Sequence, residues 1–241
     1  MKKLAIAIGL TVLGMSPSFA ADMPVKALVA QPVQVYDWSG IYAGANLGWS
    51  RATFDWDYYN LPGQSIHRRP DTFQYGGHVG AQYQWNQFVI GVEAQWSPQK
   101  MDSYGPDAPI FAAAFDAETT LKQVVTVGPR IGWVFSPQWM VYATGGYAQG
   151  AVHTGFFARG FPNVQAGIDK RPDGWFAGGG LDYLFTNWLY MGVEYRHIDF
   201  GTELHSSTVI PATGAARYVS TTADMVQVRL GVKFNGFERA R

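Results

Sequence analysis

The chain has 241 residues; 47% are hydrophobic, only 15% are charged, and there are 28 glycines and no cysteine. The ordinary apolar fraction excludes a disordered chain, although the charge content falls below the roughly one quarter usual in soluble domains. The lack of cysteine excludes a disulfide scaffold, a thiol nucleophile and a thiolate metal site.

Lys2 and Lys3 precede an apolar run from Leu4 to Met15, and Ser16-Pro17-Ser18-Phe19-Ala20 follows, with small residues at 18 and 20. This order reads as a secretory signal peptide over 1–20, cut after Ala20; the apolar core is short for an uncleaved anchor. Without the signal the chain carries 16 basic and 18 acidic residues, a balance that argues against nucleic acid as a partner. No later stretch has the roughly 18 consecutive apolar residues of a membrane-spanning helix. Residues 21–38, with Pro24 and Pro32, read as an irregular periplasmic lead-in.

From Gly40 the texture changes to a period of two, the mark of strands with unlike faces. In the first predicted strand Ile41, Ala43, Ala45, Leu47 and Trp49 oppose Tyr42, Gly44, Asn46, Gly48 and Ser50. In the second, Phe73 to Trp85, aromatic and aliphatic residues oppose Gln74, Gly76, His78, Gly80, Gln82 and Gln84. Glutamine and glycine, rather than lysine and glutamate, suit a crowded polar interior. The third strand follows Asn86-Gln87 and sets Phe88, Ile90, Val92, Ala94 and Trp96 against Gly91, Glu93 and Gln95.

The fourth, about Thr119 to Phe135, sets Leu121, Val125, Val127, Ile131, Trp133 and Phe135 against Lys122, Thr126, Gly128, Arg130 and Gly132. Pro129 cannot donate to a ladder, which predicts a local bulge. The fifth, about Trp139 to Ala151, has small residues on both parities and an ambiguous facing. The sixth spans Trp175 to Phe185 and places Asp182 on its polar face. The seventh, Trp188 to Ile198, places Glu194 and Arg196 there, and the eighth, Met225 to Phe234, places Gln227, Arg229 and Lys233 there.

Strands of ten or more residues, tilted, span a bilayer core. The connections alternate between tight turns near 86–87, 136–138 and 186–187 and long loops over 55–72, 97–118, 152–174 and 199–224. Aromatics flank every tight turn: Trp85 with Phe88, Phe135 with Trp139, Phe185 with Trp188. The pattern is that of an all-β, eight-stranded antiparallel transmembrane outer-membrane β-barrel over residues 39–234, with short periplasmic turns, four long extracellular loops and a C-terminal tail over 235–241. A soluble periplasmic sandwich would give no reason for such regular aromatics. A weak repeat accompanies it. Arg69-Pro70-Asp71 and Arg171-Pro172-Asp173 each lead into an aromatic-glycine strand, a tight turn and Gly-Val-Glu at 91–93 or 192–194. Duplication and shared barrel constraints account for this equally well.

The inward set includes Glu93, Lys122, Arg130, Asp182, Glu194, Arg196, Arg229 and Lys233. Acid and base together can pair across the lumen, whereas isolated buried charges would be costly. Eight strands enclose just enough room for their own side chains, so a largely filled lumen is expected. The rival is a narrow polar path that conducts small hydrophilic solutes.

The segment from Tyr36-Asp37-Trp38-Ser39-Gly40 to Gly48 resembles the small outer-membrane β-barrel proteins of alphaproteobacteria, the porin-like immunogenic surface proteins of rhizobia, brucellae and bartonellae. Phe88 to Gln95, Phe135-Ser136-Pro137, Gly192 to Arg196 and Val228 to Phe234 extend the resemblance over about residues 36–234. It implies a porin-like or structural surface antigen, in some members an adhesin or haemin binder. It also implies that Phe234 ends the final strand as the signal read by the barrel assembly machinery. This chain departs from the family by continuing to Arg241.

No enzyme is expected. His205-Ser206 and His153-Thr154 lack a converging geometry, and His67, His153 and His205 lie on separate loops without metal-ligand spacing. No cofactor is expected. The basic runs His67-Arg68-Arg69 and Lys170-Arg171 read either as contacts to anionic lipopolysaccharide or as interfacial anchors. The apolar stretch from Pro109 to Phe115 is unusual for a solvated loop. The expected partners are therefore outer-membrane lipids and lipopolysaccharide, the assembly machinery, and through the lumen or loops small solutes or host surface ligands.

Overall fold

The computed structural model describes residues 36–58, 63, 65–106, 115–158, 161–205 and 217–234. The signal peptide, most of the lead-in, residues 109–114 of the apolar stretch, Ser206 and the tail after Phe234 lie outside the described residues, as does the side chain of His205.

The described strands are β1 (Gly40–Tyr58), β2 (Ser65–Arg68), β3 (Asp71–Trp85), β4 (Phe88–Pro106), β5 (Phe115–Ser136), β6 (Trp139–Ala158), β7 (Phe161–Lys170), β8 (Asp173–Thr186), β9 (Leu189–His205) and β10 (Arg217–Phe234). All pairings are antiparallel. Eight long strands form a ring that closes where β10 meets β1, from Ile41 opposite Phe234 to Tyr58 opposite Arg217. Closure leaves no unpaired edge within the bilayer, where an unpaired backbone group would cost several kcal/mol. β2 and β7 pair only with the outer ends of β1 and β6.

The alternation places side chains as the sequence pattern predicts. Leu47, Tyr75, Val79, Ile90, Val92, Ile131, Val193, Val228 and Leu230 face outward as a lipid-facing band. The aromatics beside the tight turns are also exposed. A second aromatic ring marks the outer interface, each polar tip held by a neighbour. Trp49 donates to Asp71 (3.0 Å), Trp96 to Gln123 (3.4 Å), Tyr195 to Asp224 (2.6 Å), and Tyr147 to Asp173.

Above that ring the segments expected as loops continue as strands, and their polarity inverts. On β1 the inward parity continues from Asn46 and Ser50 to Ala52, Phe54 and Trp56, while Asp55 and Asp57 turn outward. The reason is the change of solvent: below the ring lipid bathes the outside, above it water does. The inward residues Phe54, Trp56, Met101, Leu121, Val152, Phe176, Phe200 and Met225 therefore form an apolar core in the outer half of the barrel.

Two expectations need correction. Lys122 is not inside. It is the extra residue of a β-bulge, skipped between Leu121 and Gln123 in the β5–β6 ladder. The bulge flips the facing, so Leu121 is buried and Lys122 is exposed, paired with Asp169 at 3.3 Å. Pro129 gives no bulge. It stays opposite Val92, and the flexible Gly145-Gly146 pair absorbs the missing rungs to β6 without a register shift.

The wall is incomplete above the outer ring. β3 and β4 pair only from Trp85 opposite Phe88 up to Gly77 opposite Trp96. β8 and β9 stop at Trp175 opposite Asp199. The outer extension thus divides into two sheets, one of β9, β10, β1 and β2 and one of β4, β5, β6 and β7.

Three inward tyrosines lie over glycines directly across the ladder: Tyr42 over Gly80, Tyr142 over Gly180 and Tyr190 over Gly231. A Cβ on any of the three would come within 2.4–2.5 Å of the ring or its hydroxyl. Gly180→Val should therefore lower the urea midpoint of the refolded barrel in detergent micelles, the overpacking costing about 1–3 kcal/mol. Gly77→Val, whose Cβ would meet only the Gly44 carbonyl at 3.5 Å, should leave the midpoint near that of the wild type.

Candidate functional site

The central lumen holds three guanidinium groups and three carboxylates, all nearly inaccessible: Arg130, Arg196 and Arg229 with Glu93, Asp182 and Glu194. Each arrives by strand alternation. Glu93 and Glu194 each follow a Gly-Val pair on β4 and β9. Arg130 on β5 stands opposite Gly91, and Arg229 on β10 stands opposite Gly192.

The pairing is dense. Arg196 donates to Glu93 at 2.7 Å and pairs with Glu194. Arg229 bridges Glu93 and Glu194. Arg130 pairs with Asp182 and reaches Glu93 at 3.4 Å. Tyr42 donates to Glu93 at 2.9 Å and Tyr142 to Glu194 at 2.6 Å. The Arg130 guanidinium stacks 3.6 Å from the Tyr142 ring centroid, a geometry that stabilises a desolvated cation. With all six ionised the cluster is neutral, so it offers no net charge to a passing ion.

The two halves of the chain contribute matching sets. Tyr42, Gly80, Glu93 and Arg130 on β1, β3, β4 and β5 correspond to Tyr142, Gly180, Glu194 and Arg229 on β6, β8, β9 and β10. The two Arg-Pro-Asp runs occupy matching stations as well. Pro70 O accepts from Ala52 N (3.0 Å) and Pro172 O from Gly150 N (2.9 Å), and Asp71 and Asp173 cap Trp49 and Tyr147.

A glutamine layer lies beside the cluster. Gln227 Oε1 accepts from Asn46 (3.0 Å), Gln74 (3.0 Å) and Gln95 (3.1 Å), and its amide donates to Glu194 (2.8 Å). His78 is buried between Asn46 and the Tyr190 hydroxyl, 2.6 Å from its Nε2. On the periplasmic side Trp38, Tyr42, Val89, Met140, Tyr142, Leu184 and Tyr190 form a second buried cluster. Trp38 belongs to the segment read as lead-in, yet it is 1% exposed. Its backbone N–H donates to Gln84 (2.8 Å), its carbonyl accepts from Gln82 (2.7 Å), and its indole donates to Pro137 O (3.3 Å). It corks the inner mouth, a role that the alternation, starting at Gly40, could not reveal.

Lys233 is interior but stands apart from the cluster; its ammonium donates to the Asp37 carbonyl and helps fix the cork. Phe234 ends β10 with its ring outward, opposite Ile41. At the outer end His67 pairs with Asp55, Arg68 is half-buried, and Arg69, Lys170 and Arg171 are exposed. His153 lies 2.9 Å from Asp169. Hydrogen bonds with His153 and Lys122 hold this exposed carboxyl below its ordinary range. Among the described residues no three His, Asp or Glu side chains converge as metal ligands.

A closed ring of eight tilted strands with an apolar belt, two aromatic girdles and a packed polar lumen defines a small outer-membrane barrel protein. The sequence profile described as the outer membrane protein beta-barrel domain matches residues 23–234, and the chain belongs to that family. It is 29% identical to the 31 kDa outer-membrane immunogenic protein of Brucella melitensis over 76% of this chain and 81% of that protein. It is 26% identical to the 25 kDa outer-membrane immunogenic protein of Brucella abortus over 90% of each chain. Among solved structures, the outer membrane protein OprG of Pseudomonas aeruginosa superimposes with a TM-score of 0.53 at 12% identity, covering 83% of this chain and 99% of that one. The protein is located in the outer membrane.

Removing one member of the cluster strands its partners. Arg229→Ala or Glu194→Ala should each destabilise the barrel by about 3–5 kcal/mol, read from urea unfolding in detergent. Lys122→Ala, which breaks an exposed pair, should change the same measurement by no more than about 0.5 kcal/mol.

Proposed function

We propose that this protein is a structural, porin-like barrel that contributes to the envelope and its surface properties through a sealed lumen and exposed outer strands, without enzymatic chemistry. The observation that carries this reading is the stacking of three layers across the lumen. An apolar core lies outermost; below it the neutral charge cluster takes up the middle, and the Trp38 cork fills the inner mouth. A water path would have to open all three. The names of the Brucella relatives, outer-membrane immunogenic proteins, support a surface that antibodies reach. Its partners in this reading are outer-leaflet lipids, including lipopolysaccharide, and the barrel assembly machinery, which engages the final strand ending at Phe234.

The refolded chain in a planar lipid bilayer should give no discrete conductance steps while its heat-dependent gel mobility verifies folding. Reproducible steps, with an ion preference altered by Arg229→Ala, would replace this reading with that of a narrow diffusion pore for small hydrophilic solutes.

A further inference from the structure

The internal repeat gives three inward positions just above the outer aromatic ring a counterpart in the other half. Ser50 follows Trp49 as Ala148 follows Tyr147, the two aromatics that donate to Asp71 and Asp173. Gln74 comes three residues after Asp71, and Phe176 three after Asp173. Gln99 comes six residues after Glu93, and Phe200 six after Glu194, each at a register shift of its strand. In the second half Ala148, Phe176 and Phe200 belong to the apolar core, and the space left beside Phe200 and Pro172 is about 10 Å³. In the first half all three are polar, yet as deeply buried: Ser50 and Gln74 are 0% exposed and Gln99 is 5% exposed.

The protein does not satisfy them. Ser50 Oγ, Gln74 Oε1 and both amide atoms of Gln99 have no hydrogen-bond partner among the described residues. A buried polar group without a partner costs stability that the apolar residues of the other half do not. The three also belong to one place. Gln74 opposes Gly48, one inward position below Ser50. The β3–β4 register, continued past Gly77 and Trp96, would set Gln74 opposite Gln99. The wall is weakest there. Gln99 and Lys100 have no ladder partner on either side among the described strands: the β3 pairing has ended, and the β5 register jumps from Pro98 to Met101. The Arg68 guanidinium lies beside Gly105, farther out along β4. The floor is the carboxamide of Gln227, held by Gln74, Gln95 and Glu194, which separates these uncharged groups from the charge cluster.

We propose that Ser50, Gln74 and Gln99 form a blind site, entered from the side, for a small uncharged molecule that both donates and accepts hydrogen bonds. Water is the smallest member of this class, and a short polyol is the next. The molecule enters by local opening of Pro98–Lys100, the stretch without ladder partners, and supplies the bonds that the three side chains lack. The site ends on the Gln227 layer, so it fills without opening the lumen. The equivalent place in the second half offers no hydrogen bonds and takes no such molecule.

The chain has no cysteine, so a single thiol reports on the site. Ser50→Cys and Ala148→Cys place that thiol at equivalent positions in the two halves. Each variant, refolded as the full chain in phosphatidylcholine nanodiscs, is treated with methyl methanethiosulfonate, a small uncharged probe, and heat-dependent gel mobility verifies folding. Ser50→Cys should be labelled at least about tenfold faster than Ala148→Cys. Adding Gln74→Leu and Gln99→Leu to Ser50→Cys should slow labelling by about tenfold, because the site then offers no hydrogen bonds. Leucine is chosen over phenylalanine because Ala52 stands where the second half has Gly150, and a Cβ there would lie 3.2 Å from the Phe200 ring. Protection of Ser50→Cys by glycerol would assign the site to a polyol as well as to water; labelling indifferent to glycerol would assign it to water alone. Equal rates at the two positions, or no effect of the leucines, would overturn the site. Labelling as fast by a cationic methanethiosulfonate would overturn its preference for uncharged molecules. Gln99→Cys against Phe200→Cys repeats the comparison if either first variant fails to fold.

Discussion

Backbone pairing in a solvent without hydrogen-bond partners is the constraint on which everything else depends. A strand in hydrocarbon must find both neighbours inside the same wall, so the sheet closes on itself. Closure with eight strands then fixes the bore, and the bore decides what the inward side chains do. They cannot stay hydrated at a distance from one another; they must pack and pair. The Arg130, Arg196 and Arg229 cluster with Glu93, Asp182 and Glu194 is thus a consequence of topology before it is a site. The tyrosines over Gly80, Gly180 and Gly231 are its packing counterpart, filling with a ring the space that each cross-strand glycine leaves.

The constraint relaxes where the hydrocarbon ends. There the backbone can meet water, and the ladders lapse, between β3 and β4 beyond Gly77 and between β8 and β9 beyond Trp175. The same boundary turns the side chains over. Phe54 and Trp56 lie inside and Asp55 outside, as in a soluble protein, on a strand that eight residues lower holds Asn46 inside and Leu47 outside. One strand thus serves two solvents without a change of parity.

That inversion explains how much could be read from the chain. The eight strands, their facing within the bilayer and the tight turns were legible because period two persists wherever lipid lies on one side. Outer segments such as 55–58 and 97–106 looked like loops because the same alternation carries the opposite polarity there. Lys122 was misplaced because a bulge is a matter of pairing partners, which one strand's sequence does not contain. Apart from Lys122, the seven members of the inward charge set follow from parity alone, but which acid meets which base depends on the radial order of strands around the ring. Trp38 escaped because its contacts come from Gln82, Gln84 and Pro137, far along the chain.

The charge cluster has one more consequence, for the fidelity of assembly. Glu93 from the first half of the chain is held by Arg196 and Arg229 from the second, and Asp182 from the second by Arg130 from the first. A slip of two residues along any of these ladders would keep every backbone bond and every inward facing, but it would carry a charge about 7 Å past its partner. With all six groups buried and each held by an opposite charge, such a slip is expensive. The six charges therefore act as a register key, read only when both halves of the barrel have come together in correct alignment.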